Sequence, residues 1–290
     1  MVSPSDILAT TYGQPTPPKI TEDNVAVSSI LFVIAMVAVM GSASIIFHVM
    51  GCKERTSRRL VFILSTIMAA ASALSYLSIF SRYDMGYNCE ILNPRVPLSD
   101  GLKLDCRQTF GTQYLDLFIT STIVIIQLSL VAGLNGATTF IGVVSNIFMF
   151  ASGAVAADRY RSSLDLRITW TVITSIFFAL VFSQIGLNSI KAAKSRGTGY
   201  QKPFTGLVTY ALIFLGVQFN IFMIGHVWGA ISTNTEMLSF LVADLLFKPV
   251  FGFWLLRSYQ QIPEFQFEVS GYWSHGITSD RHTLLSQDDE

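Results

Sequence analysis

Charge is what this sequence has least of. Asp, Glu, Lys and Arg make up 13% of its 290 residues, against roughly a quarter in soluble domains. The 19 basic and 19 acidic residues cancel, so no basic face for nucleic acid is implied. Nine Pro and twenty Gly are too few for a low-complexity chain, and no internal repeat is visible. The N-terminus has no basic segment followed by an apolar core, which excludes a cleavable signal peptide. Residues 1–24 are polar and Pro-rich instead and read as a disordered tail. Residues 259–290 form a second polar tail, ending in Gln-Asp-Asp-Glu.

In place of charge there is apolar length. Hydrophobic residues make up 51% of the chain, and the mean hydropathy is +0.50. A helix needs about 20 mostly apolar residues to cross the hydrocarbon core. Seven segments qualify: 25–50, 60–81, 112–132, 137–157, 168–190, 204–230 and 237–258. Such segments must satisfy their own backbone hydrogen bonds in lipid, which favours helices. The expected fold is therefore all-α, an integral membrane bundle of seven helices over 25–258, with membrane lipid as its surroundings.

Orientation follows from Lys and Arg. The short loops GCKERTSRR (51–59) and KAAKSRGTGYQK (191–202) are strongly basic, and with seven spans they share one side. The positive-inside rule puts that side in the cytoplasm, the N-terminus outside and the C-terminus inside. The loop 158–167 carries three Arg on the outside, partly offset by two Asp. Cys89 and Cys106 both fall in the long outside connection 82–111, where an oxidising compartment permits a disulfide; two unpaired thiols are the alternative. Cys52 lies in a cytoplasmic loop and is expected to stay reduced.

Against this apolar background a few polar residues stand out. VADLLFKPVFGFWLL (242–256) carries Asp244 and Lys248 four residues apart, on one helix face. A charge at the bilayer centre costs at least about 2.5 kcal/mol, so such residues are functional suspects. Two uses are open: a buried ion pair that locks the bundle, or a Lys amine that forms a Schiff base with an aldehyde and needs a carboxylate counter-ion. Asp116, in QYLDLFITSTIVIIQ, adds a second buried acid, with Thr120 one turn along. Two acids and one Lys make a site rather than a single strut. His226, near the outside end of helix six, is the one further internal cation candidate.

At these residues the sequence resembles a known family, the microbial (type I) rhodopsins, in their fungal branch. DLLFKPVFGFWLL resembles the retinal-attachment segment, CRQTFGTQYLDLFIT (106–120) the start of the third helix, FTGL (204–207) the start of the sixth and GYWSHG (271–276) a fungal tail segment. The resemblance covers about residues 25–276. It implies retinal bound as a protonated Schiff base to Lys248, with Asp116 as primary and Asp244 as second counter-ion. It further implies that Thr120 bonds Asp116, that Tyr76 bonds the second counter-ion, and that Glu236 belongs to an outside proton-release group. Met149 and Gly153 would line the ring end of the pocket, although plain helix packing accounts for both nearly as well.

The departures from the family pattern bear on mechanism. Gln113 stands where relatives carry Arg, Leu117 where they carry Trp, and Thr122 where they carry Pro. Gln127, eleven residues beyond Asp116, replaces the internal proton donor of pumps. Leu215, Gln218, Phe219 and Phe222 replace the Trp, Tyr-Pro and Trp around the polyene, and Asn146 replaces a common Asp. These changes suggest a looser pocket, and without the Arg a fully ionised site carries excess negative charge. Three functions follow as expectations. The first is a light-sensing photoreceptor with a slow photocycle. The second is a light-driven outward proton pump without a carboxylate donor, with Gln113, Gln127, Glu236 and His226 on the proton path. The third is a retinal-free seven-helix membrane stress protein. None is an enzyme. No metal-ligand set is singled out, no soluble catalytic domain follows helix seven, and a homo-oligomer and a signalling partner are further candidates.

Overall fold

A computed structural model describes residues 19–55, 59–83, 85–91, 103–134, 136–158, 164–194 and 198–261. Seven of its helices are long and apolar enough to cross a membrane: α1 (Val27–Cys52), α2 (Leu60–Ser81), α3 (Gly111–Ala132), α4 (Gly136–Ala157), α5 (Leu164–Lys194), α6 (Thr198–Ile221, continued by a π-helical turn at Phe222–Val227) and α7 (Thr233–Gln261). A second π-helical turn, Gln184–Asn188, interrupts α5. The lipid-facing surface is apolar: Leu31, Ile45, Leu74, Phe140 and Ile213 are each more than half exposed. Water would penalise that surface, whereas hydrocarbon does not.

Three strands cap one end of the bundle. These are β1 (Lys19–Asp23), β2 (Met85–Ile91) and β3 (Lys103–Phe110), in the order β1-β3-β2, with β1 parallel and β2 antiparallel to β3. Two expectations change here. The tail expected to be disordered contributes β1, because β3 offers it a free edge on which to satisfy its backbone. The connection expected as an irregular loop forms the β2–β3 pair, joined through Cys89 and Cys106 (S–S 2.10 Å). Its two Pro lie outside the described residues, as do residues 1–18 and the segment 271–276.

Helix ends move by a few residues. α5 starts at Leu164 rather than 168, so Arg167, counted above in a loop, lies in the helix and is buried. α7 runs from Thr233 to Gln261, taking three residues from the expected C-terminal tail. Its start is fixed by β1: Asp23 Oδ2 accepts from the Thr233 backbone N–H (2.7 Å) and hydroxyl (2.9 Å), which satisfies a donor that a helix start leaves open. At the far end of α3, Gly133 takes the left-handed conformation (φ 71°) that lets Leu134 N–H reach Ser129 O, a glycine stop of the Schellman type.

Among the described residues the interior has three apolar clusters, a small one around Ala156, Ala157, Met223 and Val227 and two larger ones that bracket the site. One, toward the sheet, holds Met36, Met40, Tyr76, Ile79, Phe110, Met237 and Leu241. The other holds Met68, Ala69, Val124, Leu128, Phe204, Phe247 and Phe251. On α2, Ser72 falls between Ala69 and Tyr76, and on α7, Asp244 falls between Leu241 and Phe247. The polar residues thus lie in a layer between two apolar ones.

Candidate functional site

Lys248 occupies that polar layer with no exposed surface. Its Nζ lies 2.5 Å from Asp116 Oδ2 and 2.8 Å from Asp244 Oδ2. The i,i+4 spacing on α7 gives the second contact, and α3 brings in the first from 132 residues away. One ammonium faces two carboxylates, so full ionisation leaves one negative charge in excess, as the loss of Arg at position 113 suggests. Three neutral donors meet it. Ser72 Oγ donates to Asp116 Oδ1 (2.8 Å), Tyr76 to Asp244 Oδ2 (2.5 Å) and Gln218 Nε2 to Asp244 Oδ1 (2.6 Å). Buried carboxylates require such partners, because each lone pair left bare in low dielectric is costly.

Two expected roles are revised by these bonds. Thr120 donates to the backbone carbonyl of Asp116 (2.8 Å), not to its carboxylate; the i−4 carbonyl is nearer to a helix Thr than a side chain on its own strip. Gln218, expected only as pocket wall, is a direct partner of Asp244. Tyr76 meets Asp244 as the resemblance implies.

From Gln218 and Leu117 an apolar cavity of about 50 Å³ leads away between α3, α4, α5 and α6. Met149, Phe178, Leu215, Phe219 and Phe222 form much of its wall. Gly153 stands behind that wall: a Cβ there would meet the Phe222 ring at 3.1 Å. The looseness expected from the lost indoles is not observed. Phe178 stacks on Phe219 at 4.0 Å, and Tyr114 meets Phe222 edge-on at 5.6 Å, so smaller rings close the space. Two departures from the family pattern also answer one another: Asn146 Nδ2 donates to Thr122 Oγ1 (2.9 Å). A buried primary amine, adjacent carboxylates and an aromatic-walled apolar cavity form the donor set that a conjugated aldehyde requires; these residues fit retinal in chemistry, while the cavity is smaller than its ring and polyene together.

The residues match the bacteriorhodopsin-like proteins over 26–262. Opsin-1 of Neurospora crassa is 32% identical over 257 residues, spanning 87% of this chain and 83% of its own. This chain belongs to the bacteriorhodopsin-like family. Among solved structures, the light-driven proton pump LR (Mac) from Leptosphaeria maculans superposes with a TM-score of 0.77 at 25% identity, covering 84% of this chain and 99% of that one. Halorhodopsin, a light-driven chloride pump, superposes with a TM-score of 0.68 at 24% identity over 79% and 93% of the two chains, a likeness of fold. The chain is thus a microbial rhodopsin, a multi-pass protein embedded in lipid, and its family implies a retinal chromophore.

The other residues singled out in this microbial rhodopsin lie at some distance from Lys248. Gln113 is buried on the first turn of α3. Gln127 lies eleven residues beyond Asp116, roughly 16 Å along the helix. Its Nε2 donates to Ser65 Oγ (2.8 Å) and Val61 O (3.2 Å), and its Oε1 has no partner among the described residues. Glu236 and His226 meet at the sheet end, where Tyr114 joins them: its hydroxyl lies 2.7 Å from His226 Nδ1 and 3.3 Å from Glu236 Oε1. A permanent cation joins them. Arg107, on β3, holds Glu236 Oε2 through its Nη2 at 2.6 Å, and both side chains are 6% exposed. Sequence reasoning missed Arg107 and Ser72. A polar strand residue next to a cysteine carries no sign of burial, although the missing cation at position 113 was a reason to look for another.

Proposed function

We propose that this protein is a retinal-binding light sensor, with retinal held covalently on Lys248 and with Asp116 and Asp244 as counter-ions. The observation that carries this reading is the Lys248 Nζ, fully buried and within 2.8 Å of both carboxylates. Condensation of the Lys248 amine with the retinal aldehyde releases water and supplies visible absorption and a light-driven change of shape. Asp116 and Asp244 both face the positive nitrogen, and together they outweigh its charge when both are ionised. Tyr76, Ser72 and Gln218 fix the carboxylate directions, and Leu117, Met149, Leu215 and Phe222 exclude water from the cavity. Gly153 leaves room beside Phe222.

Gln127 favours sensing over transport. It occupies the position from which a carboxylate would resupply a proton, and an amide cannot ionise at any working pH. A light-driven proton pump is the second reading, favoured by the Arg107–Glu236–Tyr114–His226 cluster at the sheet end and by the likeness to the LR (Mac) proton pump. The buried Lys248 argues against a retinal-free role. The sheet end faces outside and the opposite end the cytoplasm, with the bundle over 25–258 as the retinal-binding unit. Expression with all-trans retinal, an absorption spectrum and the external pH of illuminated cells test the two readings. The sensor shows a visible band and little sustained acidification. Sustained outward proton flow comparable to that of carboxylate-donor pumps would overturn it in favour of the pump.

A further inference from the structure

The structure assigns Arg107 as the positioning cation of the sheet-end cluster. It is delivered by β3, fixed at a rung of the sheet that is bonded to the bundle on both sides, and it aligns Glu236 so that the Tyr114 hydroxyl stays on His226. In the register of the sheet, Arg107 lies opposite Asp23 on β1 and opposite Asn88 on β2. Asp23 bonds Thr233 at the start of α7. Asn88 Nδ2 donates to the Ala157 carbonyl at the end of α4 (2.6 Å). The preceding residue, Cys106, is joined to Cys89, and the following one, Gln108, accepts from Val25 N–H (2.9 Å). Arg107 is thus held along the strand and across it, and its guanidinium points at Glu236 in a setting 5% exposed.

Geometry also says what this placement achieves. The Tyr114 hydroxyl lies 2.7 Å from His226 Nδ1, a bond whose donor depends on the imidazole tautomer, and donates toward Glu236 Oε1 at 3.3 Å. Arg107 occupies the other oxygen, Oε2, and neutralises the carboxylate. Without that charge, the buried carboxylate draws more strongly on the Tyr114 hydroxyl, and the contact between Tyr114 and His226 Nδ1 shifts. The position of a proton within the cluster therefore depends on a residue of the sheet, outside the seven helices. Its consequence for light-driven charge movement rests on the retinal reading above; the contact itself does not.

The test starts with the full chain in lipid bilayers without retinal, labelled with ¹⁵N-histidine, with His226→Gln assigning the signal among the four His. Arg107→Gln should move the His226 Nδ1 resonance outside its wild-type linewidth. Arg107→Lys should bring it back toward wild type, and Arg107→Gln combined with Glu236→Gln should restore it. An unmoved resonance in Arg107→Gln overturns the assignment. Glu236→Gln, which leaves no acid at the site, keeps the test open if Arg107→Gln does not fold: it must shift one guanidinium resonance of ¹⁵N-arginine protein, and no shift overturns the assignment. With retinal bound, a pH-dye transient after a flash should change alike in Arg107→Gln and Glu236→Gln, with the double variant no worse than either single. Additive changes would show that the two residues act separately and overturn the assignment. A missing transient in wild type would count against the light reading only, since the His226 signal is recorded without retinal.

Discussion

At Lys248, charge and covalent chemistry predict different outcomes for different substitutions. Lys248→Ala removes the ammonium from between two buried carboxylates, and a buried pair broken on one side costs about 3–5 kcal/mol. Lys248→Arg keeps the charge but offers no amine for condensation. Neither variant should show a visible band with retinal, and the Ala variant should unfold at the lower temperature of the two; a band in either would end the covalent reading. Gln127 gives the complementary prediction. Its Nε2 donates to Ser65 Oγ and Val61 O, so a protonated carboxyl, the form a proton donor needs, can take over one of these bonds. Gln127→Asp or Gln127→Glu should speed recovery of the dark state in flash spectroscopy, because general acid catalysis typically contributes about 10²–10⁴-fold. Recovery unchanged by both would show that protons reach Lys248 by another route. Lys248 was legible in the sequence because an ionisable residue inside an apolar run is costly and demands a role, whereas Gln127 stood out only through the family resemblance. Ser72 was not legible, since a helix Ser usually bonds its own backbone.

Elements were legible to the degree that hydrocarbon dictates them. Apolar runs place seven helices, but they do not mark where a helix extends past the lipid, as α7 does to Gln261. Nor do they mark strands, because β1 and β3 are polar segments without an apolar run. The π-helical turn Phe222–Val227 was equally hidden. It belongs to both parts of the site, with Phe222 on the cavity and His226 in the sheet-end cluster, in keeping with the frequent use of such turns at functional sites. Gly225, within it, meets Glu236 so closely that an added Cβ would lie 2.7 Å from the carboxyl carbon. A free Glu would swing away at little cost, but this one is held by Arg107. Gly225→Ala should therefore cost about 1–3 kcal/mol in thermal or chemical unfolding, and much less in a Glu236→Ala background. Gly216→Ala is the control, because nothing lies within 4 Å of its Cβ position. It should be neutral or stabilising by up to about 1 kcal/mol, the helix propensity difference between Gly and Ala. Equal costs for Gly225→Ala in the two backgrounds would show that Glu236 is not held in place.

At the scale of the whole molecule, the two ends of the bundle differ in cysteine chemistry and in charge, and the two differences point to the same orientation. Cys89 and Cys106 are joined at the sheet end. Cys52, the remaining one of three, is free and exposed at the end of α1, with its Sγ 3.6 Å from His48 Nε2. Seven spans put Cys52 on the same side as Lys53, Arg55 and Arg59, as Lys191 and Lys194 at the end of α5, and as Lys202 at the start of α6. Of the three Arg that opposed this arrangement, Arg167 lies buried within α5 rather than in the loop before it, and Asp165 enters the helix with it. Positive charge stays on the cytoplasmic side during insertion, and disulfides persist on the oxidising side. A membrane-impermeant maleimide should therefore leave intact cells unlabelled and label Cys52 once the membrane is permeabilised, with Cys52→Ser abolishing the signal. The same reagent should label Cys89 and Cys106 in intact cells only after reduction with an impermeant reductant. Labelling of Cys52 in intact, unreduced cells would invert the molecule, put the sheet and Arg107 in the cytoplasm, and exchange entry and exit for any proton the site moves.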